Sequence, residues 1–382
     1  HRGLHPGEGG MAVRHRPEEQ QMKMTFRTKR RLRFFGTFFL TVLAVTLVAW
    51  FCCVVWLERY IVYSSDGARL EMGSDPAGFA GVEAVKPAAQ GGVSIFYNEG
   101  LDAVEISKDL TAINGYYLDY ATMVKDMAGA MDNLSVVPAG TPILVDMKGG
   151  YGTFFYSTSI SGAVKSASAP IQQVDEFVQK LKSKGYYMIA RVSAFQDYMY
   201  GNANVTSGIY MTSRAGLWLD GEGCFWLDPA SAGVQSWITS AVLELKNMGF
   251  HEVVLSNFQF PNTDKIVYDK DRTEALQNAM TNLLTSTASD KGTFTLSFGT
   301  SDPTLTLPEG ARSRIYLQNI DASNVDTAVE QTTVPDKAAQ VVFLATTNDT
   351  RFDKYSVLRP LSAAKTLEAM KAANAAAEED QG

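Results

Sequence analysis

Seven short, almost wholly apolar runs spread over residues 113–347, with helical periodicity between several of them, constrain the fold of this chain more than any other feature. They are 113–120 (INGYYLDY), 141–149 (TPILVDMKG), 185–195 (GYYMIARVSAF), 251–258 (HEVVLSNF), 292–299 (GTFTLSFG), 313–320 (SRIYLQNI) and 339–347 (AQVVFLATT). A strand with one wet face alternates apolar and polar residues, whereas a strand apolar on both faces belongs to a parallel sheet covered by helices. The intervening stretches supply the cover. Pro170 suits the first turn of a helix over 170–184, Val174, Phe177, Val178 and Leu181 form its stripe, and Gly185 can close it. A second stripe (Val234, Trp237, Ile238, Ala241, Val242, Leu245, Met248) precedes Gly249, and a third helix is expected over 271–289 through Leu276, Met280, Leu283 and Leu284. The expected fold is α/β, a (β/α) TIM-like barrel. Seven strands are one short of a closed barrel, so 91–97 (GGVSIFY) or 354–358 (KYSVL) supplies the eighth, or the barrel is incomplete or irregular.

Upstream of this pattern, residues 34–57 carry no charge, and at about 1.5 Å per residue they are long enough to cross about 30 Å of hydrocarbon as a helix. Residues 23–33 (KMTFRTKRRLR) are strongly basic, which favours a cytoplasmic N-terminus. A cleaved signal peptide has a shorter apolar region ending on small residues. This run ends in bulky ones, including Trp50, Phe51 and Trp56, and is read as a retained anchor. The expected order is a cytoplasmic basic tail (1–33), a transmembrane helix (34–57), a stalk rich in Gly, Ala, Ser, Asp and Pro (58–91), the barrel (92–358), and a C-terminal helix fraying into an acidic tail (359–382). That order describes a single-pass cell-membrane protein with its body outside the cell.

Charge and cysteine content exclude several partners. The net charge of −7 gives the body no electrostatic pull on nucleic acid. Cys52 and Cys53 fall in the apolar run and Cys224 is alone in the body, so neither a disulfide framework nor a zinc site is expected, and no metal or cofactor is assigned.

In a (β/α) barrel the C-terminal strand ends face the active site. Here those ends carry Asp146 and Lys148 after the second run, and Arg191 and then Asp197 after the third. The long connection before the fourth run contains 217–229 (LWLDGEGCFWLDP), read as a β-hairpin that presents Trp218, Asp220, Glu222, Trp226 and Asp228. The fourth run ends in LSNFQFP, which places Ser256, Asn257 and Gln259 at the mouth. Each candidate has a structural reading beside the functional one. Asp146 can pair internally with Lys148 or with Arg191, and Asp220 and Asp228 are ordinary turn residues. The aromatics Tyr151, Phe155, Tyr156, Phe195, Tyr198, Tyr200, Trp218 and Trp226 can stack on sugars or fill a core.

The segments PILVDMKGGYG, YYMIARVSAFQD, LWLDGEGCFWLDP and GFHEVVLSNFQFP resemble, in order and spacing, those of the bacterial putative glycosyl hydrolase domain family, over roughly 110–350 and most clearly 141–261. The resemblance implies a barrel related to glycoside hydrolases, acting on a polysaccharide or cell-envelope glycan. The family pattern reads approximately FDYVRFP at the end of the fourth strand, so Ser256 here stands for an aspartate and Gln259 for an arginine. Gly149 and Gln196 also replace charged positions of that pattern.

Glycoside hydrolysis needs two carboxyl groups, and Ser256 is neither acid nor base. The expectation is therefore a membrane-anchored barrel with a degenerate site that binds glycan or processes it weakly, with Lys148, Arg191, Asp197, Trp218, Trp226, Asn257 and Gln259 as binding candidates. One alternative is an active glycosidase using Asp146 with Asp220 or Glu222. The other is a non-catalytic envelope protein that contacts a protein partner.

Overall fold

The computed structural model describes residues 41–50, 61–64, 67–70, 109–288 and 292–379. The chain divides into two compact units, residues 1–95 and 96–382. In the first, residues 41–50 are helical and expose Val42, Leu43, Val45, Leu47, Val48 and Trp50. The remainder of the apolar run 34–57 lies outside the described residues, as does the basic tail. No helix of the described residues is long and apolar enough to cross a membrane. Ile61–Ser64 and Gly67–Leu70 pair as an antiparallel hairpin inside the expected stalk. Ile61, Val62 and Tyr63 have the β-branched and aromatic side chains that favour strand geometry over a structureless linker.

The second unit is a closed barrel of eight parallel strands. In chain order they are β1 (Asn114–Leu118), β2 (Pro142–Lys148), β3 (Tyr187–Ser193), β4 (Glu252–Ser256), β5 (Thr295–Thr300), β6 (Ile315–Leu317), β7 (Val341–Leu344) and β8 (Ser356–Pro360). Each pairs with its sequence neighbour, and β8 pairs with β1 to close the ring. All seven expected strands are present. The eighth is the C-terminal alternative, displaced by two residues from 354–358, while 91–97 lies outside the described residues.

The helical cover is uneven. Helices α1 (Tyr120–Leu134), α2 (Ile171–Ser183), α3 (Ala232–Met248) and α4 (Arg272–Thr287) follow β1 to β4, and α5 (Val325–Gln331) follows β6. After β8 comes α6 (Ala364–Glu379). A loop follows β5 and a single 3-10 segment, Thr350–Lys354, follows β7. The main core between strands and helices gathers Ile143, Val145, Phe177, Leu181, Leu245 and Leu255 among others. Asp119, Ser231 and Asp271 cap α1, α3 and α4 by accepting a backbone N–H of the first turn.

Strand periodicity then places the candidate site. Tyr117, Leu144, Ile189, Val254, Tyr316, Val342 and Leu358 form a separate cluster inside the barrel. Successive side chains of a strand alternate between its faces, so the residues two positions beyond Leu144, Ile189 and Val254 return to the interior. Those residues are Asp146, Arg191 and Ser256, at the mouth. Register agrees, with Asp146 opposite Arg191 and Ser193 opposite Ser256. The opposite end of the barrel is shut by Glu252, which accepts from Arg314 Nη1 at 2.5 Å, Ser297 Oγ at 2.6 Å, Tyr316 Oη at 3.0 Å and Tyr187 Oη at 3.1 Å. Every buried side-chain polar atom among the described residues has a partner.

Candidate functional site

The mouth has a closed half and an open half. On the closed half, at the ends of β2 to β4, Lys148 and Asp197 form a fully buried ion pair with Nζ and Oδ2 2.8 Å apart. Lys148 also donates to the Ser193 carbonyl at 2.9 Å, and Asp197 accepts from Tyr200 N and from Trp237 Nε1. The expected Asp146–Lys148 pair is not formed. The register slips between those two residues, so Lys148 turns to Asp197 and Asp146 takes the other expected partner, Arg191. Arg191 donates Nε to Oδ1 at 2.5 Å and Nη2 to Oδ2 at 2.9 Å, while Tyr120 N donates to Oδ2 at 2.9 Å.

The hairpin forms as expected, with Leu219 bridged to Phe225 and Gly223 at φ 75° in its turn. It is pinned down by a hub around Gln196, whose Nε2 donates to Asp220 Oδ2 at 2.7 Å and Glu222 Oε2 at 3.0 Å, and whose Oε1 accepts from Asn257 Nδ2 at 2.8 Å. Asp220 also accepts from the backbone N–H groups of Glu222 and Cys224 and from Trp226 Nε1. Partial burial pushes the Asp220 carboxyl up, but these donors together outweigh it and hold the group below its ordinary range. Trp226 is buried in the main core and Trp218 packs half-buried against it. Gln259 points to the β5 end, where its Oε1 accepts from Thr300 Oγ1, Ser301 N and Ser301 Oγ. Asn257 takes a left-handed conformation, φ 54°, which asparagine tolerates better than most residues. Burial, reinforced by the charges of Asp220 and Glu222, pushes the Cys224 thiol up to about 12, leaving it unreactive at neutral pH.

The open half is a cavity of about 490 Å³ that reaches from the ends of β1, β3 and β4 across β5, β6 and β7. Its wall includes Tyr117, Asp119, Arg191, Ser256, Gln318 and Asp321. Of the residues placed at the mouth from the sequence, Arg191 and Ser256 line it; Asp220, Glu222, Trp218 and Trp226 belong to the other half. Asp119 and Asp321 escaped sequence reasoning. Asp119 follows an apolar strand directly and precedes the periodic stripe of α1, a signal that marks a helix cap at a barrel mouth. Asp321 sits in a loop with no such marker. Among the described residues no group of His, Cys, Asp and Glu is placed to hold a metal ion.

Residues 138–292 match the family described as a putative glycosyl hydrolase domain. Over that segment the barrel is similar to this family. No curated protein matches the chain. Solved structures similar to it include the GH36 α-galactosidase AgaA of Geobacillus stearothermophilus, at 10% identity and TM-score 0.48, covering 72% of this chain and 42% of the galactosidase. The glycoside hydrolase domain of PelA from Pseudomonas aeruginosa aligns at 12% identity and TM-score 0.42, over 66% of this chain and 97% of that one. A hypothetical protein from Ruminiclostridium thermocellum aligns at 17% identity and TM-score 0.40, over 53% and 96% of the two chains. The matched family segment runs from before β2 to just before β5. It therefore contains the closed half of the mouth and omits the β5 to β7 wall of the cavity.

Proposed function

We propose that this glycosyl-hydrolase-like barrel is a glycan-binding domain, held outside a bacterial cell by an anchor in residues 34–57, and that its family-type acids no longer hydrolyse the glycan. The observation that carries this reading is the engagement of Asp146. Three donors hold its carboxylate in place, two of them from one guanidinium, so both oxygens are engaged within the protein. A carboxyl group committed on both oxygens to its own protein is poorly placed to exchange a proton with a substrate. Its counterpart at the β4 end is neutral Ser256, and Asp220 is tied to four donors within the hairpin hub. Neither half of the usual carboxyl pair is supplied by the positions that the family pattern would use. Incubating the full chain with a panel of envelope oligosaccharides should give binding without product. Product formation lost roughly 100-fold or more in Asp146→Asn, the scale of a missing general acid or base, would overturn this reading.

A second reading rests on a different observation. Asp119 and Asp321 line the cavity, and neither forms an ion pair among the described residues. If they act as the carboxyl pair, the domain is a glycosidase with relocated acids. Hydrolysis abolished by both Asp119→Asn and Asp321→Asn, and retained in Asp146→Asn, would establish it.

A further inference from the structure

The cavity carries a charge imbalance that bears on which glycan it takes. Three charged side chains line it, Asp119, Arg191 and Asp321. The Arg191 charge is already matched by Asp146 through two hydrogen bonds. Asp119 has one oxygen occupied by the Thr122 N–H at 2.9 Å, and its second has no partner among the described residues. Asp321 is exposed and its side chain caps nothing in the 3-10 turn it precedes. Asp119 also lies within electrostatic reach of Arg191, so the carboxylates of Asp119, Asp146 and Asp321 stand against a single guanidinium and leave an excess of negative charge around the cavity.

An independent feature marks the same space as a place for a ligand. Ser256 is 7% exposed, lines the cavity, and its hydroxyl makes no hydrogen bond among the described residues. Lys148, Asp197, Gln196 and Asp220 of the closed half are spent within the protein, whereas this hydroxyl reaches the cavity and is left available to a partner. A hydroxyl both donates and accepts, which suits a sugar hydroxyl. Gly299 opens the room above it, since a Cβ there would lie 3.0 Å from the Ser256 Cα. The Tyr117 phenol beside it is kept neutral, its proton affinity raised by burial and by the Asp119 charge, so the cavity gains no further charge from it.

We infer that the cavity selects a cationic glycan, a chain of amino sugars whose amines are free and protonated, over neutral N-acetylated or uronate-bearing chains. The inference rests on the glycan-binding reading above. An ammonium in the cavity can form charge-assisted hydrogen bonds with Asp119 or Asp321, each of which keeps a carboxylate oxygen free of protein hydrogen bonds. A uronate would meet two like charges and a guanidinium already spent on Asp146.

The test compares three hexasaccharides, of glucosamine, N-acetylglucosamine and galacturonic acid, by titration calorimetry with the full chain. The glucosamine hexamer should bind at least roughly tenfold more tightly than the N-acetylated one, the scale of a hydrogen bond to a charged group, and added salt should shrink that ratio. Asp321→Asn and Asp119→Asn should each remove most of it. Asparagine caps a helix about as well as aspartate, so Asp119→Asn keeps α1 intact, and exposed Asp321 carries the test by itself if it does not. Binding of the neutral or anionic hexamer as tight as the cationic one, or a preference untouched by both substitutions, would overturn the inference and leave the glycan-binding reading standing. No binding of any of the three would overturn both.

Discussion

The two halves of the barrel mouth share the β3 and β4 ends and differ in what their polar groups are spent on. Over β2 to β4, Lys148, Asp197, Gln196, Asp220 and Asn257 satisfy one another, and the hairpin closes over them. On the other half, Ser256 at the β4 end, Asp119 after β1 and Asp321 after β6 face a cavity with their capacity partly or wholly unused. A group whose hydrogen bonds are complete within the protein holds shape, and one left open is available to a ligand. The difference teaches that the residues most conspicuous in the sequence spend their polar groups on one another, and that polar groups with capacity left over line the cavity beside them.

The largest expected effect tests whether the closed half is held by its buried pair. Lys148→Met leaves Asp197 buried without its cation, a change worth about 3–5 kcal/mol when a buried pair loses one partner. Arg191→Met should cost less, about 1–2 kcal/mol, because its pair with Asp146 is partly exposed and water can replace the lost contact. Chemical denaturation of both variants checks the contrast. Equal losses would erase the distinction between the halves.

A smaller effect concerns the hairpin hub. Trp226→Phe keeps a ring in the core and removes the donor to Asp220, which should cost about 1 kcal/mol at neutral pH. The folded-state pKa of Asp220 is depressed, so its contribution is present above the ordinary aspartate range and is lost as pH falls through the folded value. The gap between wild type and Trp226→Phe should therefore narrow as pH drops below about 4, near the unperturbed aspartate value. Thermal melts across that range test it. A gap independent of pH would show that Trp226 supports the hub through packing alone.

Much of the barrel was legible because parallel strands covered by helices leave long apolar runs, and β1 to β7 each contain one. β8 was harder. It carries Arg359 and ends in Pro360, so its apolar core is only Val357 and Leu358, and it could be placed only as one of three alternatives. α1 went unread as well, since Gly129 and the non-helical Asp126 interrupt its stripe. At the site, alternation along β2 and β3 brought Asp146 and Arg191 into one row, and their pairing followed from the need of a buried guanidinium for a carboxylate. The cavity was not legible. Its far wall comes from Gln318 to Asp321 and from Leu344 to Thr346, where the chain has no motif and the positions are set by barrel closure alone. Trp218 and Trp226 pack at the hairpin and not in the cavity wall, and a sequence cannot tell an aromatic that closes a hairpin from one that lines a groove.

The smallest expected effect on stability is the sharpest test of the open half. Ser256→Ala removes a hydroxyl that has no partner within the protein, so no internal hydrogen bond is lost and none is left unsatisfied. Folding stability should change by less than about 0.5 kcal/mol, the range expected where no structural role is broken. Glycan affinity should fall roughly fivefold, because a neutral hydrogen bond contributes about 1 kcal/mol to binding when both groups are otherwise free to bond water. The opposite pattern, lost stability with unchanged affinity, would mean that Ser256 belongs with the closed half and that the ligand does not reach the β4 end. Measured together on the same preparations, the two numbers separate a binding group from a structural one at the position where the family pattern would carry an acid.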